Sequence, residues 1–187
     1  MKKNVYRVLA TLSLAALASV ALAEAPAQAG SCSACHGAGG AAFNPQWPNL
    51  AGQHAGYLIR QITAFRDGER SNPAMAPFVG NLSDADIKVL AGYFSSQPAP
   101  TSASGEAELV ETGRNLAGRC AACHGMWGAP VADEWPVLAG QHAPYLVQQL
   151  QAYRRGDRVH SLMQAALMPY DDADFKALAA YYSQMKP

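Results

Sequence analysis

The sequence predicts an all-α protein built as two tandem domains, and three observations carry that prediction. The chain of 187 residues repeats itself without a gap at a spacing of 88. In both copies apolar side chains recur at helical intervals, and no stretch shows the alternation of a half-buried strand. Each copy opens on the same five-residue pattern, Cys32-Ser33-Ala34-Cys35-His36 and Cys120-Ala121-Ala122-Cys123-His124, which together use every cysteine.

The repeat is dense. Trp47-Pro48 returns as Trp135-Pro136, and Leu50-Ala51-Gly52-Gln53-His54-Ala55 as Leu138-Ala139-Gly140-Gln141-His142-Ala143. Tyr57, Leu58, Gln61, Arg66, Gly68 and Arg70 return as Tyr145, Leu146, Gln149, Arg154, Gly156 and Arg158. Two copies of this length mean a duplicated domain, since a solenoid needs shorter units and more of them.

Taken in order, the chain begins with Lys2, Lys3 and Arg7, an apolar run from Val8 to Leu22, and Ala21-Leu22-Ala23 ahead of Glu24. That pattern reads as a secretory signal peptide over residues 1–23, too short and too quickly followed by a cleavage signal to be a membrane span. Ala27-Gln28-Ala29 is a second possible cleavage site. A first domain follows over 24–96, a linker rich in Pro, Ser and Ala over 97–105, and a second domain over 106–187. Within the first domain His54 to Arg66 reads as a helix with Leu58, Ile62 and Phe65 on one face, stopped by Gly68. Ser83 caps the next helix, with Asp86 completing a capping box ahead of Ile87, Leu90, Ala91 and Phe94. In the second domain Glu106 to Arg119 reads as one helix, His142 to Arg154 as another ending near Gly156, and Asp171 with Asp174 starts the last.

The Cys-x-x-Cys-His pattern is that of covalent haem c attachment. Two thiols three positions apart can each add to a vinyl group of one porphyrin, and the histidine that follows lies under the iron. Cys32 with Cys35 and Cys120 with Cys123 are the expected attachment points, and His36 and His124 the expected proximal ligands. Competing readings are a thioredoxin-like redox pair, a zinc site pooling four thiolates, and structural disulfides. None of these accounts for the adjacent histidines and the long repeat around them.

On the opposite face the candidates are Met75 and Met163, which correspond under the repeat and are expected in a loop or turn before the last helix of each half. His/Met ligation raises a haem potential. Met168 is a rival in the second half, but its counterpart is Gly80. His54 and His142 are alternative sixth ligands, because they also pair across the repeat. Pro48 and Pro136 follow the proximal histidines by twelve residues, so their carbonyls can accept the other imidazole N–H. Trp47, Trp135, Tyr57, Tyr145, Arg66 and Arg154 are candidates to line a haem edge or hold propionates.

Taken together, the paired haem motifs, the two Leu-Ala-Gly-Gln-His-Ala-x-Tyr-Leu runs, the two Arg-x-Gly-x-Arg segments and the methionine-to-helix spacing resemble the cytochrome c4 family across nearly the whole mature chain. The resemblance implies two cytochrome c-like domains related by pseudo-twofold symmetry, with propionate edges facing one another. It implies two covalently attached haem c groups, ligated by His36 with Met75 and by His124 with Met163. It also implies a periplasmic respiratory electron carrier rather than an enzyme, fed by a quinol-oxidising complex and donating to a terminal oxidase. One departure concerns the helix that precedes each haem motif. Counting back 88 from Glu106–Arg119 lands on residues 18–31, so cleavage after Ala23 leaves the first domain only a stub, with Ala25 where Gly113 would pack.

Composition narrows the alternatives. Loss of residues 1–23 removes Lys2, Lys3 and Arg7 and no acid, so 14 basic groups become 11 against 14 acidic ones, a net charge of −3. No basic stripe is present, so no nucleic-acid partner is expected, and contact with a membrane is expected only through partners. A dihaem peroxidase would need one open iron and distal acid–base groups. A cytochrome subunit of a larger dehydrogenase or oxidase remains the main alternative to a free carrier.

Overall fold

A computed structural model describes residues 25–187, so the expected signal peptide over 1–23 lies outside the described residues. Nine α-helices form among the described residues: α1 (Ala29–His36), α2 (Ala55–Arg66), α3 (Ala76–Val79), α4 (Asp84–Ser95), α5 (Val110–Leu116), α6 (Ala121–His124), α7 (Ala143–Arg155), α8 (Ser161–Leu167) and α9 (Asp172–Gln184). Short 3-10 turns occupy Ala38–Gly40, Ala107–Leu109 and Ala117–Arg119, and no strand forms among the described residues. No helix there is long and apolar enough to cross a membrane.

The two halves are built alike because their apolar positions are alike. α2 packs on α4, and α7 on α9. In the first half Ala29, Leu58, Leu90, Ala91 and Phe94 are buried together. Adding 88 to each gives Ala117, Leu146, Leu178, Ala179 and Tyr182, which are buried together in the second. Each leucine so buried contributes about 1.5–3 kcal/mol. The capping boxes form as the sequence predicts: Ser83 Oγ accepts from Asp86 N at 3.1 Å and the Asp86 carboxylate from Ser83 N at 3.0 Å. In α9 the Asp171 carboxylate accepts from Asp174 N at 2.9 Å, and that of Asp174 from Asp171 N at 3.0 Å.

The helix expected over Glu106–Arg119 is broken into a 3-10 turn, α5 and a second 3-10 turn. Gly118 weakens its end, and the chain tightens there before Cys120. Gly113 lets α5 lie against α9 so closely that a Cβ would fall 2.0 Å from the Ala177 carbonyl oxygen. The first half has no such helix over residues 25–28, and Ala25 is exposed. α1 begins directly, with Ala29 N donating to Pro26 O at 2.8 Å.

Paired amides join the halves. Gln53 reads both main-chain groups of Val137: its Oε1 accepts from Val137 N at 2.8 Å and its Nε2 donates to Val137 O at 2.9 Å. Gln141 does the same to Asn49, at 2.8 and 2.9 Å. The segment expected as a linker is strapped into this junction. Ser102 Oγ donates to Gly140 O at 2.7 Å, and Ser104 Oγ accepts from Ala143 N at 2.9 Å, closing the start of α7. The start of α2 is closed from the other half, where Asp133 Oδ2 accepts from Gly56 N at 2.6 Å.

Candidate haem sites

Each haem motif ends its helix on a buried imidazole. His36 closes α1 and His124 closes α6, with 7% and 6% of their surface exposed. His36 Nδ1 lies 2.9 Å from Pro48 O, and His124 Nδ1 lies 3.2 Å from Pro136 O. A carbonyl can only accept, so Nδ1 carries the proton and Nε2 is left bare. Burial pushes both histidines below their ordinary pKa, and the proline carbonyls pull the other way without overcoming it. Both rings are therefore neutral near pH 7, the form that binds a metal. The expectation that these carbonyls orient the rings agrees with this geometry.

Among the described residues no disulfide joins the four cysteines, which are half-buried. Burial pushes the Cys32 and Cys120 thiols up. The thiols do not gather: among the described residues no cluster of three or more His, Cys, Asp or Glu side chains is arranged to hold a metal. All four instead line one continuous, largely apolar cavity of about 380 Å³ that runs through both halves. His36, Met75, His124 and Met163 line it as well. Buried neutral imidazoles with one tethered nitrogen, paired thiols and apolar walls fit a covalently bound haem in each half.

Met75 and Met163 differ in setting. Met75 precedes α3 in a turn bracketed by Pro73 and Pro77, as expected. Met163 lies inside α8, not in a loop. Ser161-Leu-Met-Gln-Ala-Ala-Leu167 contains no proline and mostly good helix formers, whereas Pro77 is tolerated only in the first turn of α3 and so keeps that helix from extending back through Met75. Met168 is 83% exposed at the end of α8 and does not line the cavity.

Two of the alternatives raised by the sequence lose support in the fold. His54 and His142 do not line the cavity. His54 Nδ1 lies 2.9 Å from Trp135 O, and His142 Nε2 lies 2.9 Å from Ala42 O, each in the opposite half. They act as joints between the halves, which leaves the reading of either as a sixth ligand without support from the cavity. Arg66 and Arg154 are also absent from the cavity. Arg66 pairs with Asp84 at 2.6 Å and Arg154 with Asp172 at 2.5 Å, stapling α2 to α4 and α7 to α9 at the surface. The short reach to the acidic first turn of the neighbouring helix captures them. Trp47, Trp135, Tyr57 and Tyr145 do line the cavity.

The arginines that reach the cavity are Arg60, Arg70, Arg119 and Arg158, none of which sequence reasoning singled out for this role, and of these only Arg70 and Arg158 correspond under the repeat. The signal was present in the repeat, where Tyr57, Gln61 and Arg70 recur as Tyr145, Gln149 and Arg158.

The comparisons agree with this geometry. Residues 20–94 match the family described as "Cytochrome C oxidase, cbb3-type, subunit III", and residues 110–186 match "Cytochrome c". The chain is 36% identical to "Cytochrome c4" of Pseudomonas aeruginosa over 97% of this chain and 98% of that one. It is 39% identical to the "Thiosulfate dehydrogenase electron acceptor" of Stutzerimonas stutzeri over 82% of this chain and 78% of that one. The solved cytochrome c4 of Acidithiobacillus ferrooxidans superposes with a TM-score of 0.78 at 33% identity, covering 84% of this chain and 99% of the other. Two repeat-related helical halves, each with its own haem c motif, and near end-to-end similarity to named relatives lead to one assignment: the chain belongs to the cytochrome c4 family of dihaem electron carriers.

Proposed function

We propose that the protein is a periplasmic carrier delivering electrons to a terminal oxidase. One observation carries the electron-carrier part of the reading: both halves offer the same donor set to one cavity, a tethered neutral imidazole and a thioether. Haem c, when bound, supplies one-electron exchange between ferric and ferrous iron. In this reading Cys32, Cys35, Cys120 and Cys123 carry the thioether bonds. His36 with Met75, and His124 with Met163, would hold the two irons. With a histidine and a methionine for each iron, neither iron would keep a site open to peroxide, which argues against the peroxidase alternative.

The test is a spectroelectrochemical titration of the holoprotein beside Met75→Ala and Met163→Ala. Each variant is expected to lose the methionine-to-ferric-iron charge-transfer band of one haem and to lower that haem's potential. An unchanged band in both variants refutes the ligand set. Partner assignment needs a second measurement, oxidation of the reduced protein by oxidase-containing membranes. A relative named as a thiosulfate dehydrogenase electron acceptor supports a dehydrogenase as a further electron source besides a quinol-oxidising complex. The cbb3-type oxidase subunit match favours a second reading, residence in a larger complex, which co-purification with an oxidase would support.

Export is part of the proposal, with cleavage after Ala23 rather than Ala29. Ala29 is 1% exposed at the base of the first core, and Gln28 Nε2 donates to Asp86 at 2.8 Å. Cutting after Ala29 would strip both from the first half.

A further inference from the structure

Between the halves lies a second repeat-related assembly that the ligand reading leaves unused. Gly68 and Gly156, each at φ +82°, turn the chain back after α2 and α7. Arg70 N then donates to Ala64 O at 2.9 Å and Arg158 N to Ala152 O at 3.2 Å, fixing both arginines beside their helices. Each guanidinium lies over an aromatic ring of its own half, Arg70 at 4.3 Å from the Phe65 centroid and Arg158 at 4.5 Å from that of Tyr153.

From there both guanidinium groups fork across the junction. Arg70 donates to Gln61 Oε1 of its own half at 2.7 Å and to Gln149 Oε1 of the other at 2.7 Å, with Tyr145 Oη at 3.4 Å. Arg158 donates to Gln149 Oε1 of its own half at 2.8 Å and across to Gln61 Oε1 at 2.7 Å and Tyr57 Oη at 2.8 Å. Each glutamine oxygen thus serves both cations, which brings two like charges within a few ångströms of each other. Arg158 is 7% exposed. Among the described residues the ion pairs use Arg66, Arg114, Arg154 and Arg155, and no carboxylate lies within pairing distance of Arg70 or Arg158.

Two close cations, Arg158 buried and Arg70 half-buried, held by neutral amides and phenols call for an anion. The field has the matching sign. Burial alone would push the Tyr57 phenol up, yet Arg158 and Arg70 pull it below its ordinary pKa. Arg70, Arg158, Tyr57, Tyr145, Gln61 and Gln149 all line the cavity that holds both sets of haem ligands. The anions that enter such a cavity with the cofactors are propionate carboxylates.

We propose that Arg70 and Arg158 form one shared positive site for the propionates of both haems, so that each arginine sets the potential of the haem in the other half as well as its own. The inference rests on two haems sharing the cavity and goes beyond their axial ligation. A cation near an iron favours the ferrous state, because reduction removes a positive charge. The site assembles only when the halves dock, so it links docking to potential.

The experiment is a spectroelectrochemical titration of the holoprotein, with each haem followed through its own methyl resonances. Arg158→Gln is expected to lower the ferrous-to-ferric ratio at least threefold at both haems, read at the wild-type midpoint of each. Arg70→Gln does the same. Arg158→Lys, which keeps the charge but not the fork, stays within twofold. Arg154→Gln, at the surface, changes neither haem. Gln61→Glu puts a carboxylate on the oxygen both arginines share and is expected to lower both haems even where the arginine variants fold poorly. A shift confined to one haem, a lysine variant as low as the glutamine variant, or no shift in Gln61→Glu overturns the proposal. Haem stoichiometry and the methionine charge-transfer bands, measured on the same samples, separate that outcome from failure of the ligand assignment.

Discussion

Truncating the paired glutamines, Gln53→Ala with Gln141→Ala, is expected to uncouple the two halves. Gln53 and Gln141 are 7% and 6% exposed. Each satisfies one N–H and one C=O on the facing strand of chain, at 2.8 and 2.9 Å in both cases. Alanine leaves both main-chain groups without a partner in a junction with little room for water. A buried group stripped of its partner costs about 1–3 kcal/mol, so each substitution removes about 2–6 kcal/mol from docking before water relaxes into the gap. A surface amide pair supplies the control: Gln148 donates to Gln46 across the same junction in an exposed position. Gln148→Ala should cost under about 0.5 kcal/mol, because solvent replaces the lost partner. The assay is urea unfolding of the holoprotein followed by Soret absorbance and tryptophan fluorescence. The wild type is expected to unfold in one coincident transition and the double variant in two. A single coincident transition displaced by less than about 1 kcal/mol would refute the reasoning, since it would mean that these amides do not hold the junction.

Gly113→Ala drives a Cβ to 2.0 Å from the Ala177 carbonyl oxygen, and main chain cannot step aside. It should cost about 1–3 kcal/mol in thermal unfolding and detach α5 from α9. Asp133→Ala removes the carboxylate that accepts from Gly56 N at 2.6 Å, and Ser104→Ala the hydroxyl that accepts from Ala143 N at 2.9 Å. Each should cost about 1 kcal/mol by chemical denaturation, and the first should fall on α2 although the mutated residue belongs to the other half. Intact mass of the exported holoprotein should correspond to a chain beginning at Glu24 with two haems attached. A start at Gly30 would contradict the buried position of Ala29.

The parts of the fold legible in the sequence were those fixed by local chemistry and repeated. Ser83 with Asp86 and Asp171 with Asp174 mark helix starts by hydrogen bonds spanning three residues, so they could be read directly. His36 and His124 were marked by their motif, and the fold buries both. Even the Pro48 and Pro136 carbonyls could be anticipated from a twelve-residue spacing held by both copies. What a repeat spacing could not give was direction. His54 and His142 pair across the repeat as a ligand would, but their partners, Trp135 and Ala42, lie 81 and 100 residues away in the chain. Arg66 and Arg70 flank the turn at Gly68, and that turn together with the packing of α4 decides that Arg66 meets Asp84 while Arg70 turns inward. The helical setting of Met163 was missed because the repeat made it look like Met75, whereas Pro73 and Pro77 separate the two cases.

The glutamines at the junction contact backbone, not side chains. Asn49 and Val137 occupy equivalent places, yet Gln141 and Gln53 grip them identically, because every non-proline residue offers the same N–H and C=O. A duplicated gene could therefore let its two products drift apart at those positions without the copies letting go of each other. Divergence in what surrounds each iron was free to accumulate while the handshake stayed the same.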